Sequence, residues 1–311
     1  MGNSLSISAT TYNALYPDPA VVLMGLGRKS KLAKSFVDDK SISNDRSFIR
    51  GDIIAKITNG SNTIIALQEL SSRDVVKIRR ALKNIRGHNV FSHFVEQISF
   101  ISGGIQQDRD EARGIILSLG ENVSAELKEK ITLQFGGKQV PALLLEINGV
   151  EVIVAPIHCS WNSPLSENFE DIKALCDTHP NAVMIFGGDW NMPFPELVES
   201  IDMNLSNLGI QFVSTEAHTG ADLRGKDAKL AKEKKESLTA TIDGFMIRTP
   251  SGITFSQSQV DIIYPTNWFD RNFDGKCLVD MVVAGEASVH ELSPSDHSAV
   301  NMHGTFYKDD A

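Results

Sequence analysis

Short apolar runs rich in Ile, Val and Leu, each closed off by Gly, Asn or Pro, dominate this chain and narrow it to folds built mainly from β-strands. They fall at Leu5–Thr11, Thr63–Gln68, Gly114–Leu119, Ala142–Ile147, Val150–Pro156, Ala182–Phe186, Thr241–Ile247, Val260–Tyr264, Leu278–Ala284 and Ser298–Met302. Asn148-Gly149, between two of these runs, is a strong hairpin signal. Helical periodicity is rarer. Arg73–Ile85 spaces Val75, Ile78, Leu82 and Ile85 on one face and sets Lys77, Arg79, Arg80, Lys83 and Arg86 between them. In Pro164–Cys176, Ser163 is placed to cap and Pro164 to open a helix whose apolar face is Leu165, Phe169, Ile172 and Leu175. Antiparallel pairs with occasional helices predict an α/β fold: two mostly antiparallel sheets face to face, helices outside, a four-layer α/β/β/α sandwich.

With 311 residues and 41% hydrophobic content the chain can bury a large core. No linker rich in Pro, Gly and Ser divides it, so a single domain over 1–311 is expected. Charged or irregular insertions are expected at 16–47, at the Lys-rich 220–237 and at 265–276, which carries Trp268-Phe269-Asp270-Arg271. The net charge of −9 argues against bulk electrostatic binding of nucleic acid but leaves room for a local, metal-assisted grip. Cys159, Cys176 and Cys277 are odd in number and lack metal-ligand spacing, which excludes a disulfide framework or structural zinc and suits a reducing cytosol. No run has the length of a membrane span, so a soluble, cytoplasmic monomer is expected. Met1-Gly2-Asn3, with Ser6 beyond, fits the N-myristoylation pattern, against which stands the plain reading of a frayed start.

Polar residues collect at the ends of the apolar runs. In chain order they are Thr11-Tyr12-Asn13, Ala66-Leu67-Gln68-Glu69, Ile157-His158, Gly188-Asp189-Trp190-Asn191, Thr241-Ile242-Asp243-Gly244-Phe245 and Ser295-Asp296-His297. This series resembles the endonuclease/exonuclease/phosphatase superfamily, which includes DNase I, deadenylases, inositol polyphosphate 5-phosphatases and neutral sphingomyelinases. Each motif alone is weak; their order, covering almost the whole chain, carries the resemblance.

The resemblance implies hydrolysis of a phosphate ester. A phosphodiester is shielded by its own charge, so the reaction wants a cation at the phosphoryl and leaving oxygens. Hard oxygen donors suit Mg2+, or Mn2+, with Glu69, Asn13 and Asp296 as the implied ligands. Asp189 would orient or deprotonate the attacking water, held by Asn191. His297 would bind the phosphate, its tautomer fixed by a buried carboxylate, and His158 matches a second histidine of several branches. Asp243 has the best local match for the partner of His297; Asp280 and Asp270 are the rivals. Trp190 is expected to pack beneath the site. His88, His93, His179, His218, His290 and His303 carry no motif and are read as surface or structural.

A nuclease of DNase I type acting on nucleic acid is the leading expectation, with Arg28–Lys34, Lys77–Arg86 and Lys226–Lys235 as local basic elements. The run Lys226–Lys235 is otherwise an ordinary solvated face. The alternative is a phosphatase or phospholipase-like enzyme on a phosphoinositide or sphingolipid headgroup, for which Trp268-Phe269-Asp270-Arg271 is a partial cue. An AP endonuclease is disfavoured, because His158 does not suit that branch and no tyrosine stands between Tyr16 and Tyr264.

Overall fold

The computed structural model describes residues 4–14, 53, 55–57, 62–102, 105–135, 138–159, 165–192, 196–199, 206–215, 219–221, 239–240, 242–264, 275–276, 278, 281, 286–287 and 297–309. Its strands are β1 (Ser4–Asn13), β2 (Asn62–Ser71), β3 (His88–Ser102), β4 (Ile105–Gly120), β5 (Ala125–Phe135), β6 (Lys138–Ile147), β7 (Val150–His158), β8 (Val183–Asp189), β9 (Ile210–Val213), β10 (Gly220–Ala221), β11 (Thr239–Ala240), β12 (Asp243–Arg248), β13 (Ile253–Tyr264) and β14 (Ala299–Lys308). The described α-helices with full bounds are α1 (Ser72–Leu82) and α2 (Leu165–Thr178).

Two six-stranded sheets form, ordered β13-β14-β1-β2-β4-β3 and β5-β6-β7-β8-β12-β9, with β10-β11 as a small separate ladder. Among the described residues, only the central pairs β1–β2 and β7–β8 run parallel. The sheets meet on their inner faces, where Ile7, Ala9, Ile64, Ile115, Leu143, Val154, Ile185, Phe245 and Val300 share one buried cluster. That packing is the sandwich expected from the alternation of apolar positions.

Each outer face takes a helix. Val75, Ile78 and Leu82 of α1 pack on Ile65, Leu67 and Ile116 of the first sheet. Ser71 caps this helix: its hydroxyl accepts from the Asp74 amide at 3.2 Å, and the Asp74 carboxylate accepts from the Ser71 amide at 3.4 Å. Phe169, Ile172 and Cys176 of α2 pack on Ile153, Ala155 and Met184 of the second sheet. Ser163 and Pro164, the expected start of α2, lie outside the described residues.

One expected strand is corrected. Leu278 and Met281, within the run Leu278–Ala284, are helical. An apolar run of this length reads equally as a strand or as one buried helix face, and periodicity does not separate them.

The two central parallel pairs decide where polar groups meet. β1, β2, β7 and β8 all finish at the same pole of the sandwich, and β12 and β14, antiparallel to β8 and β1, begin there. All of 16–47, and all but Gly220, Ala221, Gly275 and Lys276 of 220–237 and 265–276, lie outside the described residues. At the opposite pole the described connections are tight: Asn148-Gly149 between β6 and β7, 121–124 between β4 and β5, and 249–252 between β12 and β13.

Candidate active site

Strand ends bring six of the sequence-predicted side chains to one place: Asn13 from β1, Glu69 from β2, His158 from β7, Asp189 from β8, Asp243 from β12 and His297 just before β14. Asn191 joins them two residues past Asp189. All but Glu69 and Asn191, which are half-buried, are buried. Asp296 falls outside the described residues, as do Asp270 and Asp280.

Asp189 sits at the centre. Its Oδ1 accepts from the Asn191 amide at 2.8 Å, and its Oδ2 accepts from Asn191 Nδ2 at 3.1 Å and Asn13 Nδ2 at 3.2 Å. His158 Nε2 lies 3.8 Å and His297 Nε2 3.6 Å from the same Oδ2. Glu69 approaches from the first sheet: Asn13 Nδ2 donates to its Oε1 at 3.4 Å, and His158 Nε2 stands 3.6 Å from it. The carboxylates of two sheets thus face one space across an amide and two imidazoles.

His297 is fixed from behind. Its Nδ1 lies 3.0 Å from Asp243 Oδ2, and a carboxylate there accepts a hydrogen bond from Nδ1–H, which leaves Nε2 facing Asp189. Complete burial pushes the Asp243 carboxyl up from its ordinary value to about 6. The charge and hydrogen bond of His297 pull it down, the Asp189 charge pushes it up, and Thr219 pulls it down again. Of the three aspartates open to the sequence reading, the geometry therefore favours Asp243.

Local backbone explains the aim of these groups. Glu69 and Asn191 both adopt left-handed conformation, with φ of 51° at each, a region rarely occupied by residues other than glycine. The β2–β4 ladder shifts register between Leu67 and Leu70, and such a bulge turns Glu69 out of the sheet. Gly188 allows β7 and β8 to close on each other, since a Cβ there would lie 1.9 Å from the Ile157 carbonyl oxygen. Trp190 is buried beneath the site as expected, edge-on to Phe212 at 5.0 Å and Phe135 at 6.2 Å, with Nε1 donating to the Gly244 carbonyl at 3.4 Å.

Two supporting residues had no assigned role in the sequence. Gln68 Nε2 donates to Thr11 Oγ1 at 3.2 Å and across to the Gly187 carbonyl of the other sheet at 3.3 Å. Its position beside Glu69 was the available signal. Thr219 Oγ1 accepts from the amides of Ile242 and Asp243 at 3.0 and 2.9 Å, and its carbonyl accepts from the Ser298 amide. Nothing in the sequence around Thr219 marks it. His93, His179 and His303 instead make structural contacts elsewhere, with Ala142, Glu151 and Asn301.

Asp189, Asp243 and His297 bring three ligand atoms within 4.8 Å of one another, a group that could hold a metal ion. The Glu69 and Asp189 carboxylates, with the Asn13 amide between them, form a second candidate set on the open side of Asp189. The second set fits a hard divalent cation better, because its two carboxylates supply oxygens and because an ion in the first would displace the His297–Asp243 proton.

The sequence matches no protein-family model and no curated protein. Solved structures do resemble the fold. An endonuclease/exonuclease/phosphatase family protein from Bacteroides thetaiotaomicron aligns with a TM-score of 0.55 at 12% identity, covering 99% of both chains. A humanized TDP2 from D. rerio aligns with a TM-score of 0.53 at 14% identity over 97% of this chain and 99% of that one. D. rerio TDP2 complexed with a single-strand DNA product aligns with a TM-score of 0.52 at 14% identity over 96% and 98%. The chain has the endonuclease/exonuclease/phosphatase fold.

Proposed function

We propose that this protein is a metal-dependent phosphodiesterase that hydrolyses nucleic acid. The observation that carries the reading is the convergence of Asn13, Glu69, His158, Asp189, Asn191, Asp243 and His297 from both sheets on one pole. Hydrolysis of a phosphate ester needs a group to orient water, donors for the phosphoryl oxygens and carboxylates for a cation. Those chemistries meet here within hydrogen-bonding reach. That one structural neighbour, the D. rerio TDP2, was seen with a single-strand DNA product supports nucleic acid as the substrate class.

Glu69, Asn13 and Asp296 would hold Mg2+ or Mn2+, which would supply positive charge at the phosphoryl and leaving oxygens. Asn191 and Asn13 pin the Asp189 carboxylate so that it orients a water and accepts its proton as the water oxygen bonds phosphorus and the phosphorus bond to the leaving oxygen breaks. His297, held by Asp243, and His158 present ring nitrogens toward the phosphoryl oxygens. The Lys-rich 220–237 flanks β10, next to Thr219, and so starts beside the residue that holds Asp243. We read residues 1–311 as one domain acting as a monomer, because the site draws on strands from β1 to β14. No helix among the described residues is long and apolar enough to cross a membrane.

The test is incubation with Mg2+ and a single-stranded oligonucleotide, plasmid DNA, RNA, or a panel of inositol phosphates and short-chain sphingolipids. Cleavage of a nucleic acid, abolished by chelation and by Asp189→Ala, is expected. Phosphate release from inositides with nucleic acids intact would move the substrate to the lipid headgroup class. Activity persisting in both Glu69→Ala and His297→Ala would reject the site.

A further inference from the structure

A second concentration of charge lies on the flank of the sandwich, to one side of the candidate active site. Arg79 of α1, Lys83, which caps that helix, and Lys130 of β5 line one open cleft at the edge strand β3, together with Ser92, His93 and Phe94 of that strand. All three cations are exposed, and among the described residues no carboxylate lines the cleft. Arg79 is held in place. Its Cζ stands over the Phe94 ring, 5.2 Å from the centroid, and its Nη1 donates to Glu96 Oε1 at 2.6 Å, which leaves further donors on the same fork. Among the described residues Lys83 and Lys130 are in no ion pair. The chain carries a net charge of −9, yet here a helix and the edge of the second sheet set three cations around one opening. A cleft walled by one sign of charge focuses its field on whatever enters.

We infer that this cleft binds the phosphates of a single nucleic acid strand outside the active site. A guanidinium meets a phosphate with parallel N–H donors, and the two ammonium groups add charge without demanding one direction of approach. The cations gather in one cleft rather than in two rows, which fits one backbone and not the paired backbones of a duplex. The place of the cleft in the sheet fits as well. Phe94 pairs with Gly114 of β4, and Leu67 of β2, two residues before Glu69, pairs with the same Gly114. The cleft therefore lies two strand spacings, about 10 Å, to the side of the strand that carries Glu69. His93 reports the occupant. Burial and the charges of Lys130 and Arg79 hold its ring below the ordinary histidine pKa, against backbone hydrogen bonds to Ala142 and Ile131 that pull it up. A phosphate held by those two cations offsets their charge and so raises the His93 pKa. The choice of nucleic acid over another phosphate rests on the phosphodiesterase reading, but binding is measured without catalysis, so the two fail separately.

The experiment titrates the full chain, in EDTA, with a fluorescein-labelled oligothymidylate and follows anisotropy across a series of salt concentrations. Saturable binding that weakens as salt rises is expected. Lys83→Glu combined with Lys130→Glu should weaken it at least tenfold and flatten the salt dependence; Lys83→Gln with Lys130→Gln serves if the reversal does not fold. Lys173→Glu combined with Lys308→Glu changes the net charge equally at two exposed positions outside the cleft, and should weaken binding less than twofold. NMR of the His93 ring should show its pKa raised by the oligonucleotide in the parent, with no further rise in the cleft variant. Equal weakening by the two double reversals would leave only bulk charge, and an unshifted His93 would move the strand elsewhere. Either result overturns the proposal, as does the absence of saturable binding. Thymidine monophosphate bound as tightly as the oligonucleotide would make the cleft a site for small phosphates and overturn the strand. Failure to cleave nucleic acid when Mg2+ is added, with this binding intact, counts against the active-site reading alone.

Discussion

The two poles of the sandwich are made by the same strands and differ in almost every physical respect. β1 runs from Leu5 and Ile7 to Asn13 at the site; β8 begins with Val183 and Ile185 and ends with Asp189; β7 runs from Val150 and Val152 to His158. One pole closes with short turns, while the other gathers buried polar groups. The buried charges make the contrast sharp. Arg248, at the closed pole, donates from Nη1 to the Ala182 carbonyl at 2.6 Å and the His179 carbonyl at 3.2 Å. It also donates from Nη2 to the Pro180 carbonyl at 2.6 Å and from Nε to the Leu208 carbonyl at 3.2 Å. Asp243, at the open pole, leans on a titratable histidine. Fixed carbonyl acceptors make a rigid structural tie, whereas a proton-exchanging partner makes a group that can change state.

The largest expected effect separates the poles by function. Asp189→Ala and His297→Ala should each lower kcat/KM for the cleaved substrate by about 10^2–10^4, the range for loss of a positioned proton-transfer group. Urea denaturation should show both variants destabilised by about 1–3 kcal/mol, because Asp189→Ala strands the Asn191 and Asn13 donors and His297→Ala strands the buried Asp243 carboxyl. A large loss of stability with activity per folded molecule retained would mean that these residues are structural ties like Arg248.

Arg248→Met tests the other pole. Truncation strands buried carbonyls at the turn after α2, and removal of a buried, fully bonded charge costs about 3 kcal/mol. Denaturation should register that loss, while kcat of the folded fraction stays within a factor of two. A fall in kcat larger than the fall in folded protein would break the division between the poles.

The sequence read the two poles unequally. The core strands that carry the site were legible because their apolar runs are short, continuous and end in polar motifs. That is the pattern of strands buried on both faces with side chains released at their ends. β3 and β5 were missed. β5 alternates Leu127, Ile131 and Leu133 with Glu126, Lys128, Glu129 and Lys130, but a bulge between Leu127 and Glu129 breaks the period of two at the point where it would be counted. β13 was read from Val260 only, because Thr254, Ser256, Gln257 and Ser258 give its first half the composition of a loop. Arg248, Thr219 and Gln68 act through backbone carbonyls and amides brought together by the fold, so no side-chain motif marks them.

A third prediction concerns Asp243 and pH. Its folded pKa, near 6, exceeds the ordinary 3.8, so the folded chain holds a proton that the unfolded chain has released between those values. The stability this group contributes is therefore complete below about pH 4 and is lost as pH rises through about 6. Activity requires the carboxylate to hold His297, and so it gains over the same window: log(kcat/KM) should rise with unit slope, tenfold per pH unit, and level off above about 6. In Asp243→Asn both the activity step and the stability decline attributable to this group should vanish. A step that persists unchanged in the variant would assign it to another group and leave Asp243 as inert as the charges of the closed pole.

The smallest effect concerns backbone rather than side chains. Glu69 and Asn191 at the open pole and Asn148 at the closed pole share φ of 51°, yet they arise differently. Asn148 opens a two-residue hairpin turn with Gly149, where asparagine is among the residues that tolerate this conformation best. Glu69 is held left-handed inside a bulged strand, with no local preference for it, so the surrounding ladder must impose the conformation. Glycine relieves the strain at either place but does so to different extents. Glu69→Gly should stabilise the fold by about 1 kcal/mol while removing cleavage, whereas Asn148→Gly should change stability by only a few tenths of a kcal/mol and leave cleavage intact. Chemical denaturation of the two variants side by side reads the difference directly. Equal effects would show that the bent backbone at Glu69 is an ordinary turn, and that the open pole stores no more strain than the closed one.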